Sequence, residues 1–467
     1  MVRTLALIAL AATASAILKH KTIQEIVLEG PTVESTVAVP ADEWFENQKL
    51  DHNDPYNNAT WRQRYHVNPA WFGGAGYPVF LHINGENVAN AAITTTPNLL
   101  MNDLAQKYKA LVVSVEHRFY GQSQPPIQGL VTVQQHIIQQ RNLTSANKWV
   151  AFGGSYPGVL AGFAKAKFPK NFVGSVASSA PVWAKTNFVE YSEKVAYGLK
   201  FFGGDECLNN VGQAMKDFHA LMVSTKQEDA DLFKRLFNPC GPIKNDLDRA
   251  MVEVGMFINF QGIAQYNGFD SFSLNDTCNF WANKTLSPLE KLASFTKQFT
   301  WDSRQCTGTD YYTEWISGLD STALDTENIN RQWLYQMCNE FGYGQTTAGS
   351  KSIFGVLKFA NVNAIYYEMC KELYGITDTE KRVAKTLKFY GGLKVNAADV
   401  LWPGGTIDPW SALGFTNTTK PVNPLSDVLY IEGTAHCADV YSRAKNRAPA
   451  WALDRVEAKV DYFLHKK

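Results

Sequence analysis

"KWVAFGGSYPGVLAGFAKAKF" (148–168) is the stretch on which the fold of this chain turns. Trp149 to Phe152 form a short apolar run of the kind buried strands carry, and the residues from Val159 to Phe168 read as a helix. Between them stand only Gly153, Gly154, Ser155, Tyr156, Pro157 and Gly158, so strand must pass into helix through one tight bend. Glycine tolerates such a bend. The serine at its apex then projects above the sheet at a helix N-terminus, where free N–H groups and the helix dipole favour negative charge. Pro157 suits the first helical turn, where no N–H is needed. A serine in this strand–turn–helix setting is a candidate nucleophile. One feature departs from the usual G-x-S-x-G pattern: proline, not glycine, stands at 157.

A serine hydroxyl needs a base, and the base needs a carboxylate to orient it. On an open α/β sheet these partners follow the serine in the order Asp, then His. "LWPGGTIDPW" (401–410) places Asp408 after a strand-like run, and "YIEGTAHCADV" (430–440) places His436 after the next. Both would then lie at the carboxyl edge of the sheet, where ligands bind in such folds. An oxyanion hole needs two N–H donors. The Tyr156 amide is one by geometry, and Gly85, in the turn "INGEN" (83–87), is the expected second.

The wider composition agrees. The chain has 467 residues, 45% of them hydrophobic, which suggests a globular protein of two or three structural units. Its 44 basic and 44 acidic residues cancel, so nothing points to nucleic acid or an anionic membrane. Residues 1–16 read as a signal peptide: Arg3 is followed by the apolar run Leu5 to Ala12 and by the small residues Ala14, Ser15 and Ala16. No later run reaches the roughly 20 apolar residues of a membrane span. A soluble mature protein that is secreted or lysosomal is expected. Sequons at Asn58, Asn142, Asn275, Asn283 and Asn417 are candidate glycosylation sites. Of seven cysteines, six fall between Cys207 and Cys370 and Cys437 stands apart. In an oxidising compartment that pattern suggests three bridges and one free thiol, with the pairing undetermined. With neither C-x-x-C nor H-E-x-x-H present, no metal or cofactor is expected.

Along the chain, "PVFLHING" (78–85), "ALVVSVEHR" (110–118), "KWVAFGG" (148–154) and "NFVGSVASSAPV" (171–182) read as buried parallel strands. "ADVLWPGG" (398–405) and "DVLYIEGTAH" (427–436) repeat the pattern, and Leu453, Val456, Val460 and Phe463 mark a closing helix. Between about 190 and 392 the spacing turns helical, with Val211, Met215, Phe218 and Met222 on one face. The expected organisation is an α/β domain built from 17–190 and 392–467, with a helical, disulfide-stapled insertion over 191–391.

"KLDH" (49–52), "WRQRYHVN" (61–68), "INGEN", "VSVEHRFYGQS" (113–123), "FGGSYPG" (152–158), "VASSAPVWA" (176–184), "RQWLYQMCNEFGY" (331–343), "GGTIDPW" (404–410) and "GTAHC" (433–437) resemble the prolyl-carboxypeptidase-like serine peptidases. The match runs in order over essentially the whole mature chain and lies nearest the thymus-specific branch. The resemblance implies an α/β-hydrolase fold with a helical cap inserted between nucleophile and acid, and peptide substrates trimmed near a chain end, often after proline. It implies a triad of Ser155, Asp408 and His436, with Trp410 lining the pocket for the residue before the scissile bond. It also implies the pairs Cys207–Cys278, Cys240–Cys306 and Cys338–Cys370, with Cys437 unpaired. A homodimer is left open.

Two alternatives accompany this expectation: a secreted esterase or lipase with the same triad, and an inert secreted member of the family. The second rests on segment 122–147. Between "EHRFYGQSQPP" and the nucleophile strand stands only "IQGLVTVQQHIIQQRNLTSAN" (127–147), shorter than the family's usual helix though longer than the ~10–12 residues a parallel crossover requires. Val133, His136 and Ile137 would sit on a short helix there, covering one sheet face thinly.

Overall fold

A computed structural model describes residues 37–466 apart from 51–53, 55, 125–130, 270–271, 300–303, 324 and 327–328. The expected signal peptide lies outside the described residues. Ten strands are present among the described residues: β1 (Glu43–Lys49), β2 (Thr60–Asn68), β3 (Val79–Ile83), β4 (Leu111–Val115), β5 (Trp149–Gly154), β6 (Gly174–Ser178), β7 (Lys185–Asn187), β8 (Gly342–Gly344), β9 (Val400–Gly405) and β10 (Asp427–Ile431). Eight of them form one sheet in the order β1-β2-β4-β3-β5-β6-β9-β10. β1 and β2 are antiparallel, and every pairing from β4 to β10 is parallel. This is the α/β-hydrolase arrangement.

The central strands are apolar on both faces because both faces are covered. Val79 and Leu81 of β3, Leu111 and Val113 of β4 and Trp149 and Ala151 of β5 point to one side, into a cluster with Val133, Ile137 and Ala161. Their alternates Phe80, Val112 and Val150 point to the other, where they meet Leu104, Leu453, Val456 and Phe463. The covering helices are α1 (Leu100–Tyr108), α2 (Val131–Gln140), α3 (Tyr156–Lys167) and, at the end of the chain, a helix over Ala450–His465. The abbreviated segment before β5 thus does form a helix, α2, and both Val133 and Ile137 are buried. Gln134 and Asn171 tie it down further: Gln134 Nε2 donates to the Asn171 carbonyl and Asn171 Nδ2 to Gln134 Oε1.

Between β6 and β9 the chain builds the helical cap. It begins with α4 (Glu190–Val223), kinked at Gly204, and continues through α5 (Gln227–Phe237), α6 (Asp246–Gln265), α7 (Leu274–Trp281), α8 (Pro288–Phe299), α9 (Asn330–Gln336), α10 (Glu368–Tyr374) and α11 (Thr379–Tyr390). Val211, Met215, Phe218 and Met222 all face its interior from α4. Disulfides join Cys207 to Cys278, Cys240 to Cys306 and Cys338 to Cys370, and Cys437 is a buried free thiol. The first of these fastens α4 to α7. The five sequon asparagines are all exposed.

The strands are shorter than the runs read from the sequence, by most at two places. The run 171–182 is extended only over Gly174–Ser178, and 427–436 only over Asp427–Ile431. The residues after each strand, from Ser179 and from Glu432, leave the sheet as loops.

The α3 helix reaches the sheet closely because Gly162 faces the Trp402 indole, with which any Cβ at 162 would collide. Gly162→Ala should therefore cost about 1–3 kcal/mol through overpacking, read as a lowered midpoint of urea unfolding; an unchanged midpoint would show that α3 can lift off Trp402 freely.

Candidate active site

Ser155 joins β5 to α3 with φ 66° and ψ −132°, a backbone region that costs a non-glycine residue about 1–3 kcal/mol. Its surroundings hold it there. The Ser155 N–H donates to the Ser178 carbonyl at 2.9 Å, and its own carbonyl accepts from Val159 N–H at 3.1 Å. Gly153 lies so close to the Pro157 carbonyl that a side chain there would collide, and a Cβ at Gly158 would come within 2.5 Å of the Ser178 carbonyl. The close approach that the usual motif assigns to position 157 is thus made by Gly158. Pro157, second in the helix, instead presses its ring against Gly85, where an added Cβ would lie 2.5 Å from Pro157 Cγ.

Asp408 and His436 sit at the carboxyl ends of β9 and β10 and are fully buried. Both Asp408 carboxylate oxygens lie 2.9 Å from His436 Nδ1, and Oδ1 also accepts the Trp410 N–H at 2.9 Å. A carboxylate so placed keeps the proton on Nδ1 and leaves the Nε2 lone pair available. The His436 N–H is anchored on the Gln265 carbonyl of α6 at 3.0 Å. Nε2 makes no hydrogen bond among the described residues, and the Ser155 hydroxyl does not reach it. Asp408 and His436 are joined, and Ser155 makes no hydrogen bond to His436 among the described residues. Catalytic hydrogen bonds are often longer without substrate and tighten on binding.

Ser178 and Ser179 bring the His436 loop to the serine. The same Ser178 that receives Ser155 N–H donates its hydroxyl to Asp439, and Ser179 Oγ accepts the Cys437 N–H at 2.9 Å. Burial pushes the Asp439 carboxyl up to about 6 and drives the Cys437 thiol well above its ordinary value, so Cys437 is an inert neighbour, not a second nucleophile. None of these partners stood out in the sequence, though "VASSAPVWA" contained two of them.

Ser155 opens into a cavity of about 190 Å³ between sheet and cap, also lined by Gly85, Tyr156, Trp333, Tyr343 and Trp410. Tyr156 N–H heads a helix and has no intrahelical acceptor, and Gly85 N–H has none among the described residues. Both residues line the cavity onto which Ser155 opens. Trp410 is buried; its Nε1–H donates to Gln265 Oε1 at 2.9 Å, and its ring meets Tyr343 and Tyr191 nearly edge-on. A polar chain that sequence reading missed runs beneath. Tyr120 donates to Gln336 Oε1, Gln336 Nε2 donates to the Tyr156 hydroxyl at 2.9 Å, and that hydroxyl lies 3.2 Å from His117 Nε2. Burial lowers His117 to about 4, so the imidazole is neutral. With Nδ1 donating to the Arg118 carbonyl at 2.7 Å, its Nε2 accepts the tyrosine proton. Gln336 belongs to α9, so this chain ties the cap to Tyr156, the residue after Ser155.

If Ser155 is strained, glycine at this position should relieve what alanine cannot. Ser155→Gly is expected to be more stable than Ser155→Ala by about 1 kcal/mol, measured as the difference in their melting temperatures; the reverse order would mean that the bend is not strained.

Comparison with known proteins agrees with this geometry. The model of the family described as serine carboxypeptidase S28 matches residues 48–457. The thymus-specific serine protease of Mus musculus is 30% identical, with 90% of this chain and 86% of that protein covered. Its Homo sapiens counterpart is also 30% identical, over 90% of this chain and 85% of its own. Lysosomal Pro-X carboxypeptidase of Mus musculus is 23% identical over 89% and 87%. An α/β-hydrolase sheet, a helical cap and a family match across nearly the whole chain make this protein a member of the S28 family of serine peptidases.

Proposed function

We propose that this serine peptidase is an exopeptidase of the secretory pathway that uses Ser155, His436 and Asp408 as its triad and prefers proline before the scissile bond. The observation that carries the reading is the buried Asp408–His436 pair, held by Ser178 and Ser179 against the loop of a strained serine. His436 Nε2 takes the Ser155 proton as the oxygen attacks the peptide carbonyl, and Asp408 stabilises the imidazolium that forms. The tetrahedral oxyanion rests on the Tyr156 and Gly85 N–H groups. His436 then gives the proton to the leaving amine, and water, deprotonated by the same imidazole, hydrolyses the acyl-enzyme.

The cap supports the exopeptidase part. Trp333 and Leu334 of α9 and Met369 of α10 line the same cavity as Ser155, so a chain end fits more readily than the middle of a long polypeptide. The aromatic wall of Trp410 and Tyr343 suits a proline ring, which packs flat and brings little conformational entropy to lose. Three disulfides and five exposed sequons suit an oxidising, glycosylating compartment.

Ser155→Ala should lower kcat by at least about ten-thousandfold while the fold persists, and Asp408→Asn by a comparable factor through the wrong imidazole tautomer. A peptide-library digest read by mass spectrometry checks both variants and the specificity. Release of residues from one chain end after proline is expected. Internal cuts, or hydrolysis of p-nitrophenyl esters without any peptide cleavage, would contradict the reading.

A further inference from the structure

An oxyanion hole works only if its donors are aimed in advance, to within about 0.5 Å of the productive geometry. The stretch "VSVEHRFYGQS" (113–123) begins in β4 and passes behind both proposed donors, and none of its residues lines the Ser155 cavity. It grips the two turns from outside that cavity. Asn84, which precedes Gly85, donates its N–H to the Val115 carbonyl at 3.2 Å. Its Nδ2 donates to the same carbonyl at 2.8 Å and to Ser114 Oγ at 2.7 Å. His117, two residues beyond Val115, meets the Tyr156 hydroxyl at 3.2 Å.

The hydrogen bonds around Tyr156 run in one direction. A carbonyl can only accept, so the bond to the Arg118 carbonyl puts the proton of the neutral His117 ring on Nδ1, and Nε2 accepts from Tyr156. The tyrosine oxygen in turn accepts from Gln336 Nε2 at 2.9 Å, and Gln336 Oε1 accepts from Tyr120. The hydroxyl is thus held from two sides, by the loop after β4 and by the cap. His117, Trp333 and Phe341 meet the Tyr156 ring nearly edge-on, which limits its freedom further. Gln336 is itself held: it ends α9, and two residues later Cys338 is bonded to Cys370 of α10.

We propose that His117 and Gln336 are positioning residues of the reaction: by clamping the Tyr156 hydroxyl from opposite sides, they aim the Tyr156 N–H at the oxyanion. The inference rests on the proposed roles of Ser155 and the Tyr156 amide, and it gives two residues outside the cavity an effect on the chemical step. Without either clamp the tyrosine ring can swing about its Cα–Cβ bond, and the amide at the start of α3 loses its aim. The loss falls on bond formation and spares the binding that precedes it, because the oxyanion exists only once attack has begun.

The test follows the reaction of the mature protein with a fluorophosphonate over a range of reagent concentrations. The Ser155 proton passes to His436, the Oγ–P bond forms, the P–F bond breaks and fluoride leaves, while the phosphoryl oxygen gathers charge in the oxyanion hole. Tyr156→Phe, His117→Leu and Gln336→Leu should each lower the limiting rate by about ten- to a hundredfold and change the half-saturating concentration by less than about threefold. His117 acts through the tyrosine hydroxyl, so His117→Leu added to Tyr156→Phe should slow the reaction by no more than about threefold further. His117→Gln, whose Oε1 can accept the same proton, should stay within about threefold of the native rate. A native limiting rate in Tyr156→Phe, a loss confined to the half-saturating concentration, losses that multiply in the double variant, or a His117→Gln as slow as His117→Leu would overturn the proposal. Tyr156→Phe removes one oxygen and keeps the ring, so it decides even if the leucine variants do not fold. A native protein that is not labelled at Ser155 sinks the nucleophile reading, whereas labelling at Ser155 with indifferent variants sinks the positioning role alone.

Discussion

The contact between Ser178 and the turn around Ser155 constrains everything else at this site. One carbonyl receives the Ser155 N–H and is approached so closely by Gly158 that a side chain there would strike it. β6 and the start of α3 are thereby locked together, and the serine between them has no relaxed backbone conformation to fall into. The Ser178 hydroxyl and its neighbour Ser179 then hold the Asp439 and Cys437 end of the His436 loop. Residues more than 250 apart in sequence are fixed to one point of the sheet edge.

Burial gives this arrangement its electrostatic character. Asp408 and His436 are withdrawn from water, and separating such a pair costs about 3–5 kcal/mol because one partner is left unsatisfied. The cap supplies the walls. Its α6 anchors His436 through the Gln265 carbonyl, while the Gln265 side chain accepts from both Trp410 and Tyr191. On the opposite side, Gln336 of α9 reaches the Tyr156 hydroxyl. The cap is therefore joined to His436 and to Tyr156, the neighbour of Ser155, and a shift in its position would be felt by each.

The sequence displayed most of this architecture, for physical reasons. β3, β4, β5 and β9 are buried on both faces and so read as continuous apolar runs. The helix over Ala450–His465 is buried on one face and shows it in its periodicity. β1 and β2 gave no such signal, because "EWFENQK" and "TWRQRYHVN" carry polar and charged residues at the antiparallel edge of the sheet. Gln63 and Arg64 are buried there only because Gln48 and Glu116 satisfy them, and those partners come from other strands and loops. At the site, Ser155, Asp408 and His436 could be selected by chain order and local turn chemistry. The Ser178, Ser179 and Asp439 contacts could not, since each depends on a meeting across the sheet.

The most direct test of the account is a crystal structure of the protein carrying a fluorophosphonate. It should show phosphorus bonded to Ser155 Oγ, the phosphoryl oxygen about 3 Å from the Tyr156 and Gly85 nitrogens, and His436 Nε2 within hydrogen-bond reach of the ester oxygen. Phosphorus on another side chain, or an imidazole that remains out of reach of the modified serine, would contradict it.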